Sequence, residues 1–341
     1  MFKKIICISL IITGLFTARG ITADNKLVIY TALQEREAQV YAQAFENYTG
    51  IKVKTIRKST GVLLNLLRRG KNYRPGVDVL LGGPAEFYYL ANKEGLFEQY
   101  NSSLTKKIPQ EYRDLENHWW GIYLGSIGFA VNPVALQKLN LKPPMTWLDL
   151  ASPKYKGLIT IPNPVSSGTG YTILSTIIQL YGLDEGIQLL KKINSNVQNY
   201  TNSGAMASKL TGINASTIGI SFSHDIQKFK QQGYPINLIL PTDGTGYEIG
   251  GIAIVKDTKH LKQAKQFVDF MLSTRGQKLY SAMSEYRLPT NIEAPIPDGA
   301  ISFDNINVIN YNLEWSSLQQ ENIANLWLNE VYLRGKTNES N

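Results

Sequence analysis

The segment LITIPNPVSSGTGYTILSTIIQLY, residues 158–181, contains the pattern that decides the fold. Residues 158–161 predict a short buried strand, and two prolines then open a loop. Ser166, Ser167 and Thr169 place hydroxyl groups where the first backbone N–H groups of a helix lack partners. Apolar side chains then mark one helical face, at Ile173, Leu174, Ile177, Ile178 and Tyr181. The segment predicts a strand, a loop and a helix whose start either binds an anion or is simply capped by these hydroxyls.

The N-terminus has the composition of a cleaved secretory signal peptide. Two lysines precede an apolar run over residues 5–16, and small residues follow at Ala18 and Gly20 and again at Ala23. A membrane anchor needs about 20 apolar residues, so this run is too short to be one. The only cysteine, Cys7, lies inside this segment. We therefore expect residues 1–23 to be removed, leaving a periplasmic protein with no thiol, disulfide or lipid anchor.

The charge distribution argues against nucleic-acid binding. Removal of Lys3, Lys4 and Arg19 lowers the formal charge from +8 to +5. The densest basic stretch, residues 52–74, is interrupted by a helical pattern and contains no nucleic-acid motif. A weakly cationic surface of this kind would help to attract an anionic solute.

Strand and helix patterns alternate three times after the predicted signal peptide. Strands are predicted at residues 27–30, 51–56 and 77–81, with helices after the first two and a break at residues 82–84. Successive strand–helix units form parallel sheets, whose ligands bind at the carboxyl ends of the strands. This edge is predicted to contain Thr31, Ser59, Thr60, Gly61, Gly82 and Gly83.

Two further extended runs, residues 127–131 and 252–255, predict strands that cross between two lobes. Between them lie the segment 158–181 and a strand at residues 218–222 that ends at Ser223-His224-Asp225. We expect an α/β protein with a cleft between two lobes. Lobe 1 is predicted to contain residues 24–127 and 250–341, and lobe 2 residues 128–249.

These residues together resemble the type II periplasmic solute-binding receptors of ABC importers, in the branch with ferric-ion, aminoethylphosphonate and hexose-phosphate receptors. The resemblance covers nearly the whole mature chain. Its markers are the strand at 27–30, Asn132-Pro133, the motifs at 162–164 and 167–171, the helix AKQFVDFMLS at 264–273, and Arg287-Leu288-Pro289. It implies a monomer whose lobes, each a mixed, mostly parallel sheet flanked by helices, are joined by two crossing strands. The lobes would close on a small solute, and the protein would then dock on an inner-membrane permease.

Within this branch, the sequence is more similar to the hexose-phosphate receptors. Ferric receptors carry two adjacent tyrosines just beyond the strand that ends here at Phe222, where this chain has Ser223-His224-Asp225. The pair Tyr88-Tyr89 lies on a predicted helix of lobe 1, where packing explains it better. The resemblance implies that His224, Asp225 and Glu248 bind sugar hydroxyls, while Ser, Thr and backbone N–H groups hold the phosphate. Three simpler roles remain open: a helix cap for Asp225, a structural histidine at 224 and a hinge salt bridge for Glu248.

The sequence therefore predicts a hexose 6-phosphate receptor that is not an enzyme and uses no cofactor or metal. An ammonium could also satisfy Asp225 and Glu248, so 2-aminoethylphosphonate or another organophosphate is the alternative solute. A ferric receptor has less support, because the tyrosine pair that would bind the hard ferric ion is missing after Phe222. An exported phosphatase also has less support, because the adjacent side chains of Ser223, His224 and Asp225 diverge and cannot form a nucleophile relay. The predicted ligand-binding residues are Thr31, Ser59, Thr60, Gly61, Ser166, Ser167, Gly168, Thr169, His224, Asp225 and Glu248.

Overall fold

The computed structural model describes residues 25–70 and 76–335. The predicted signal peptide, with Cys7, lies outside these ranges. Within them, no helix is both long and apolar enough to cross a membrane.

The strands of the described residues join into one twisted sheet with the order β2-β1-β3-β9-β4-β7-β5-β6, and β8 and β10 each pair with β4. Their bounds are β1 Lys26–Thr31, β2 Lys52–Arg57, β3 Val79–Pro84, β4 Trp119–Val131, β5 Ile159–Pro162, β6 Val197–Thr201, β7 Ile218–Phe222, β8 Asn237–Ile239, β9 Tyr247–Ile254 and β10 Leu288–Pro289. We call the half built on β1, β2 and β3 the first lobe, and the half built on β5, β6 and β7 the second lobe. Each half contains three parallel strands, in the order β2-β1-β3 in the first lobe and β6-β5-β7 in the second.

Helices cover both faces of the sheet. The α-helices are α1 Glu35–Thr49, α2 Thr60–Arg68, α3 Ala85–Lys93, α4 Pro133–Lys138, α5 Trp147–Leu150, α6 Gly168–Tyr181, α7 Leu183–Asn194, α8 Gly204–Gly212, α9 Ser223–Gln231, α10 Leu261–Leu272, α11 Thr274–Gln277, α12 Leu279–Ala282, α13 Leu313–Leu318 and α14 Gln320–Leu326. Short 3₁₀ turns lie at Thr105–Lys107, Gln110–Tyr112, Pro153–Tyr155 and Phe303–Asn305, and a π-helix at Trp327–Leu333 follows α14.

Two long antiparallel strands, β4 and β9, connect the lobes. The first part of β4 pairs with β9, and its last five residues pair with β7 in the second lobe. The prediction that this strand begins at residue 127 was wrong, because β4 begins at Trp119. Glycines hid the earlier part of the strand, and they are needed there for close packing: a Cβ at Gly121 would lie 2.4 Å from the Ile249 side chain.

The strand β3 also extends further than the sequence pattern predicted. It continues through Gly82 and Gly83 to Pro84, with an irregularity in its pairing to β9 between Leu81 and Pro84. Both glycines have positive φ, 75° and 88°, which glycine adopts without steric cost. A Cβ at Gly83 would lie 2.6 Å from the Thr60 hydroxyl oxygen. The irregular end of β3 therefore lies directly against the start of α2.

The second lobe forms around α6, which is buried along most of its length. The predicted face is correct, and Leu174 and Ile177 are almost completely buried in the core. Ile323, Trp327 and Val331 from the C-terminal helices pack into the same core. The predicted place of these helices in the first lobe was therefore wrong, because a local pattern does not show which lobe a helix packs on. The α/β fold with two lobes joined by two crossing strands is confirmed.

Candidate functional site

A cleft lies between the lobes, at the edge where strands from both lobes end and helices begin. Parallel strands bring their carboxyl ends to one edge of a sheet, and this geometry collects the polar residues there. The cleft is lined by Ala32, Leu33, Gln34, Arg57, Ser59, Thr60, Gly83, Pro84, Tyr123, Ser167, Gly168, Thr169, Asn202, Ser203, Gly204, Ala205, Phe222, His224, Asp225, Glu248 and Arg287.

Three helix N-termini form one side of the cleft, which we call the donor pole. The helices α2, α6 and α8 have Ser59, Ser167 and Ser203 as their N-cap residues. The starts of α6 and α8 are in direct contact, because a Cβ at Gly204 would lie 2.1 Å from the Thr169 hydroxyl oxygen. Each helix start presents unpaired N–H groups and the positive end of a helix dipole. The donor pole can therefore bind an anion.

The hydroxyl groups of the donor pole divide into two kinds. The Ser167 hydroxyl accepts a hydrogen bond from the backbone N–H of Gly170 at 3.4 Å, so Ser167 caps α6 as the simpler interpretation predicted. The hydroxyls of Thr60 and Thr169 have no hydrogen-bond partner among the described residues, although both side chains are more than nine-tenths buried. These two hydroxyls remain free to bind a solute.

We expect Thr169→Val to weaken binding of a phosphorylated solute by about tenfold without lowering the melting temperature. The substitution keeps the shape of the side chain but removes one hydrogen bond to a charged group, which contributes about 1.5 to 3 kcal/mol. Calorimetric titration and a thermal melt measure both quantities. Unchanged affinity would exclude Thr169 from the binding site.

Two carboxylates and a histidine form the opposite side of the cleft, which we call the carboxylate pole. His224 and Asp225 lie in the first turn of α9, and Glu248 lies on β9. The Nε2 atom of His224 is 3.5 Å from Glu248 Oε1 and 3.8 Å from Asp225 Oδ2. All three side chains are almost completely buried.

Residues of the first lobe contact the carboxylate pole across the cleft. Gln34, the residue before α1, donates its side-chain amide to Asp225 Oδ1 at 3.2 Å. Lys228 of α9 forms an ion pair with Glu285 of the first lobe and also donates to the side-chain amide oxygen of Gln34, Oε1, at 3.4 Å. The lobes are therefore in contact, and the structure represents a closed arrangement.

Asp225 does not cap α9 through its side chain. The Asp225 carboxylate accepts a hydrogen bond from the side-chain amide of Gln34. Within the described ranges, no backbone N–H group donates to this carboxylate. Glu248 lies 3.6 Å from the Nη1 atom of Arg287, so a salt bridge at the crossing strand is part of its role. The cap interpretation fails for Asp225, whereas the salt-bridge interpretation of Glu248 agrees with the geometry.

Burial dominates the electrostatics of the carboxylate pole. It raises the pKa of Asp225 and raises the pKa of Glu248 well above its usual range, while the positive charge of Arg287 opposes both shifts. Burial, followed by the charges of Arg287 and Lys228, lowers the pKa of His224 well below its usual range. His224 is therefore a neutral imidazole at pH 7.

The structure brings eight of the predicted site residues together in the cleft: Ser59, Thr60, Ser167, Gly168, Thr169, His224, Asp225 and Glu248. Three others lie outside its lining. The buried Thr31 hydroxyl accepts the Leu33 N–H, and Ser166 donates to Asn202. Gly61 faces the Val165 carbonyl oxygen of the second lobe, which would lie 3.6 Å from a Cβ at this position.

Sequence reasoning missed several residues that line the cleft, above all Arg287, Gln34 and the start of α8. The signal for α8 was present, because Ser203-Gly204 follows a strand just as Ser167-Gly168 follows β5. Arg287 occurs in a motif that marked the family resemblance, but no local pattern indicated a role. Its partners Glu37 and His224 are 250 and 63 residues away in the sequence.

Within the described part of the chain, no group of three or more His, Cys, Asp or Glu side chains has the arrangement of a metal site. Ser223 donates no proton to His224: its hydroxyl accepts a hydrogen bond from Ser126 at 3.0 Å, and His224 Nε2 contacts Arg287. The arrangement around Ser223 is therefore not that of an activated nucleophile.

Comparison with known proteins shows which family has this architecture. Residues 75–312 match the family described as bacterial extracellular solute-binding protein. The chain is also similar to the periplasmic binding protein AfuA from Actinobacillus pleuropneumoniae, whose structure contains exogenous fructose-6-phosphate. The two are 34% identical with a TM-score of 0.87, over 90% of this chain and 99% of AfuA.

Two other solved structures show a graded similarity. The periplasmic binding protein P5PA is 30% identical, with a TM-score of 0.85 over 90% of this chain and 99% of P5PA. The apo ferric ion-binding protein A of Pasteurella haemolytica is 20% identical, with a TM-score of 0.76 over 90% of this chain and 98% of that protein. At this identity the ferric protein shares the fold alone.

Proposed function

This chain belongs to the bacterial extracellular solute-binding proteins, and on that premise we propose that it captures a hexose 6-phosphate between its two lobes. The observation that carries the proposal is the pairing of two poles in one cleft. Helix N-termini converge on one side, and Asp225 and Glu248 converge on the other. A sugar phosphate has the same division, with a dianion at one end and hydroxyl donors at the other.

The donor pole suits a phosphate dianion, because three helix starts and the hydroxyls of Thr60 and Thr169 point to one region. Each hydrogen bond to the charged group would contribute about 1.5 to 3 kcal/mol. Inorganic phosphate alone would leave the carboxyl groups of Asp225 and Glu248, on the opposite side of the cleft, without hydrogen-bond donors from the solute. Their presence favours a solute whose far end donates hydrogen bonds.

The far end of the solute could be a polyol or an ammonium. Similarity to AfuA supports the polyol, since that protein was solved with fructose-6-phosphate. The guanidinium of Arg287, 3.6 Å from Glu248, also disfavours a second cation at this place. The alternative, 2-aminoethylphosphonate, is supported by the position of Asp225, whose described hydrogen bond comes from the uncharged Gln34 amide.

Solute capture would be coupled to closure of the lobes. Ser59 and Thr60 belong to the first lobe, whereas Thr169 and Asp225 belong to the second. A solute forms its full set of hydrogen bonds only when the lobes meet, so binding shifts the protein towards the closed state. We further propose that the protein is exported to the periplasm, delivers its solute to an ABC permease and performs no turnover.

A thermal-shift screen followed by calorimetry tests the proposed function. We expect fructose 6-phosphate or glucose 6-phosphate to bind with a micromolar or lower Kd and to raise the melting temperature. At 100 times Kd, binding to the folded state alone adds about 2.7 kcal/mol to the free energy of unfolding. Binding of 2-aminoethylphosphonate without any sugar phosphate would replace the proposal by its alternative. Ferric citrate serves as the control for iron.

A further inference from the structure

Arg287 is held rigidly behind the carboxylate pole. Its side chain is almost completely buried and forms two parallel hydrogen bonds with Glu37 of α1, Nε to Oε1 at 3.0 Å and Nη2 to Oε2 at 3.1 Å. Its guanidinium carbon also lies 4.1 Å from the centre of the Tyr123 ring. The following residues form β10, which pairs with β4. Arg287 is therefore held in place by contacts with the protein on the side away from the cleft.

The remaining side of the guanidinium faces the cleft. Its Nη1 atom donates to His224 Nε2 at 2.7 Å and lies 3.6 Å from Glu248 Oε1. Since arginine only donates, His224 Nε2 is an acceptor and the proton resides on Nδ1. That Nδ1 atom is buried without a described partner, against Gly125, where a Cβ would lie 2.3 Å away. In the closed arrangement, neither nitrogen of His224 is available to a solute.

His224 is therefore an uncharged side chain that accepts a hydrogen bond from Arg287. The positive charge nearest to Glu248 is consequently the guanidinium of Arg287. The second cation of the pole, Lys228, is paired with Glu285. A solute group that hydrogen-bonds Glu248 must stand within a few ångströms of the guanidinium. An uncharged hydroxyl tolerates this position, whereas an ammonium is repelled.

We propose that Arg287 is the specificity-determining residue of the carboxylate pole, selecting an uncharged polyol end of a phosphorylated solute against an ammonium end. The inference rests on the proposed function and names the feature that sets its solute class. Two like charges about 6 Å apart at an effective dielectric constant of about 20 repel by an amount equivalent to roughly a hundredfold in affinity. The charge of Glu37 on the same guanidinium offsets part of this repulsion, so we expect a discrimination of at least about tenfold. Discrimination of this size is measurable by calorimetry.

The experiment measures Kd for fructose 6-phosphate and for 2-aminoethylphosphonate with the full chain and its variants. Arg287→Met alone would leave Glu37 buried without a partner and could unfold the protein, so Glu37→Gln/Arg287→Met is the main variant. Its preference for the sugar phosphate is expected to fall at least tenfold. Arg287→Lys keeps the charge and should retain the preference, and Glu37→Gln alone should increase it a few-fold. Arg68→Met, which breaks an exposed Arg–Glu pair away from the cleft, is the matched control.

The outcomes separate this inference from the function on which it rests. If the unmodified chain prefers fructose 6-phosphate and the double variant keeps that preference within threefold, the role of Arg287 is disproved and the proposed function stands. If the unmodified chain binds 2-aminoethylphosphonate and no sugar phosphate, both fail. A merely structural role of Arg287 predicts equal losses for both solutes, with no change in their ratio.

Discussion

Replacing Asp225 with Asn is expected to weaken hexose 6-phosphate binding by about a hundredfold and, at the same time, to stabilise the empty protein. The carboxylate lies in the first turn of α9 and faces the cleft. Asn keeps the shape but loses the charge that strengthens hydrogen bonds from sugar hydroxyls. Loss of about 3 kcal/mol of such bonding corresponds to a hundredfold change in Kd.

The stabilisation follows from the raised pKa of Asp225. Burial raises this pKa in the folded protein above its value in the unfolded chain. The unfolded chain therefore releases the proton more readily, and the stability that the carboxyl contributes below pH 4 is lost as pH rises through the folded pKa. Asn does not titrate, so the gain in melting temperature should be absent at pH 4 and reach about 2 °C or more at pH 8.

Asp149 provides a control with the opposite sign. It belongs to the capping box of α5 in the second lobe, and backbone N–H groups of Met145 and Thr146 lower its pKa. Its contribution to stability is present at neutral pH and is lost as pH falls through the lowered pKa. Asp149→Asn should therefore lower the melting temperature at pH 8 without changing Kd. If Asp225→Asn also lowers the melting temperature at pH 8, Asp225 is a structural residue and not a binding residue.

The parts of the site that sequence patterns predicted are those built by local structure. The start of α6 follows from a strand, a loop and Ser167-Gly168 within a dozen residues, and the structure has the helix start at Gly168. The end of β7 at Phe222 was predicted for the same reason. Hydrophobic periodicity and helix capping act over a few residues, so a single sequence reveals them.

The parts that were missed depend on contacts between distant segments. Gln34 meets Asp225 from 191 positions away, and Arg287 meets Glu37 from 250. The irregular end of β3 packs against Leu33 at Gly82 and against Thr60 of α2 at Gly83, and these contacts come from other segments of the chain. The C-terminal helices pack on the second lobe because its core has a complementary apolar surface, which includes Tyr200. No local pattern contains this information.

Replacing Gly168 with Val is expected to keep the lobes apart and thereby to weaken solute binding by a hundredfold or more. Gly168 begins α6, and a Cβ there would lie 2.7 Å from the Pro84 ring of the first lobe and 3.2 Å from the Thr60 hydroxyl. Its φ is not positive, so a larger residue fits the backbone of the isolated lobe. The clash exists only in the closed state.

Closure and folding should therefore respond differently to this substitution. The core of each lobe is unchanged, and replacing a helical glycine removes a residue with poor helix propensity, so the melting temperature of the empty protein should change by less than about 2 °C. Small-angle X-ray scattering should show that saturating fructose 6-phosphate compacts the unmodified protein but not the Gly168→Val variant.

The loss of affinity and of compaction should decrease in the order Gly168→Val, Gly168→Ala, Gly61→Ala, because a Cβ at Gly61 has an ordinary 3.6 Å contact with the opposite lobe. Full compaction of Gly168→Val with unchanged affinity would show that a side chain at this position does not obstruct closure, and would disprove the role of the contact between α6 and Pro84.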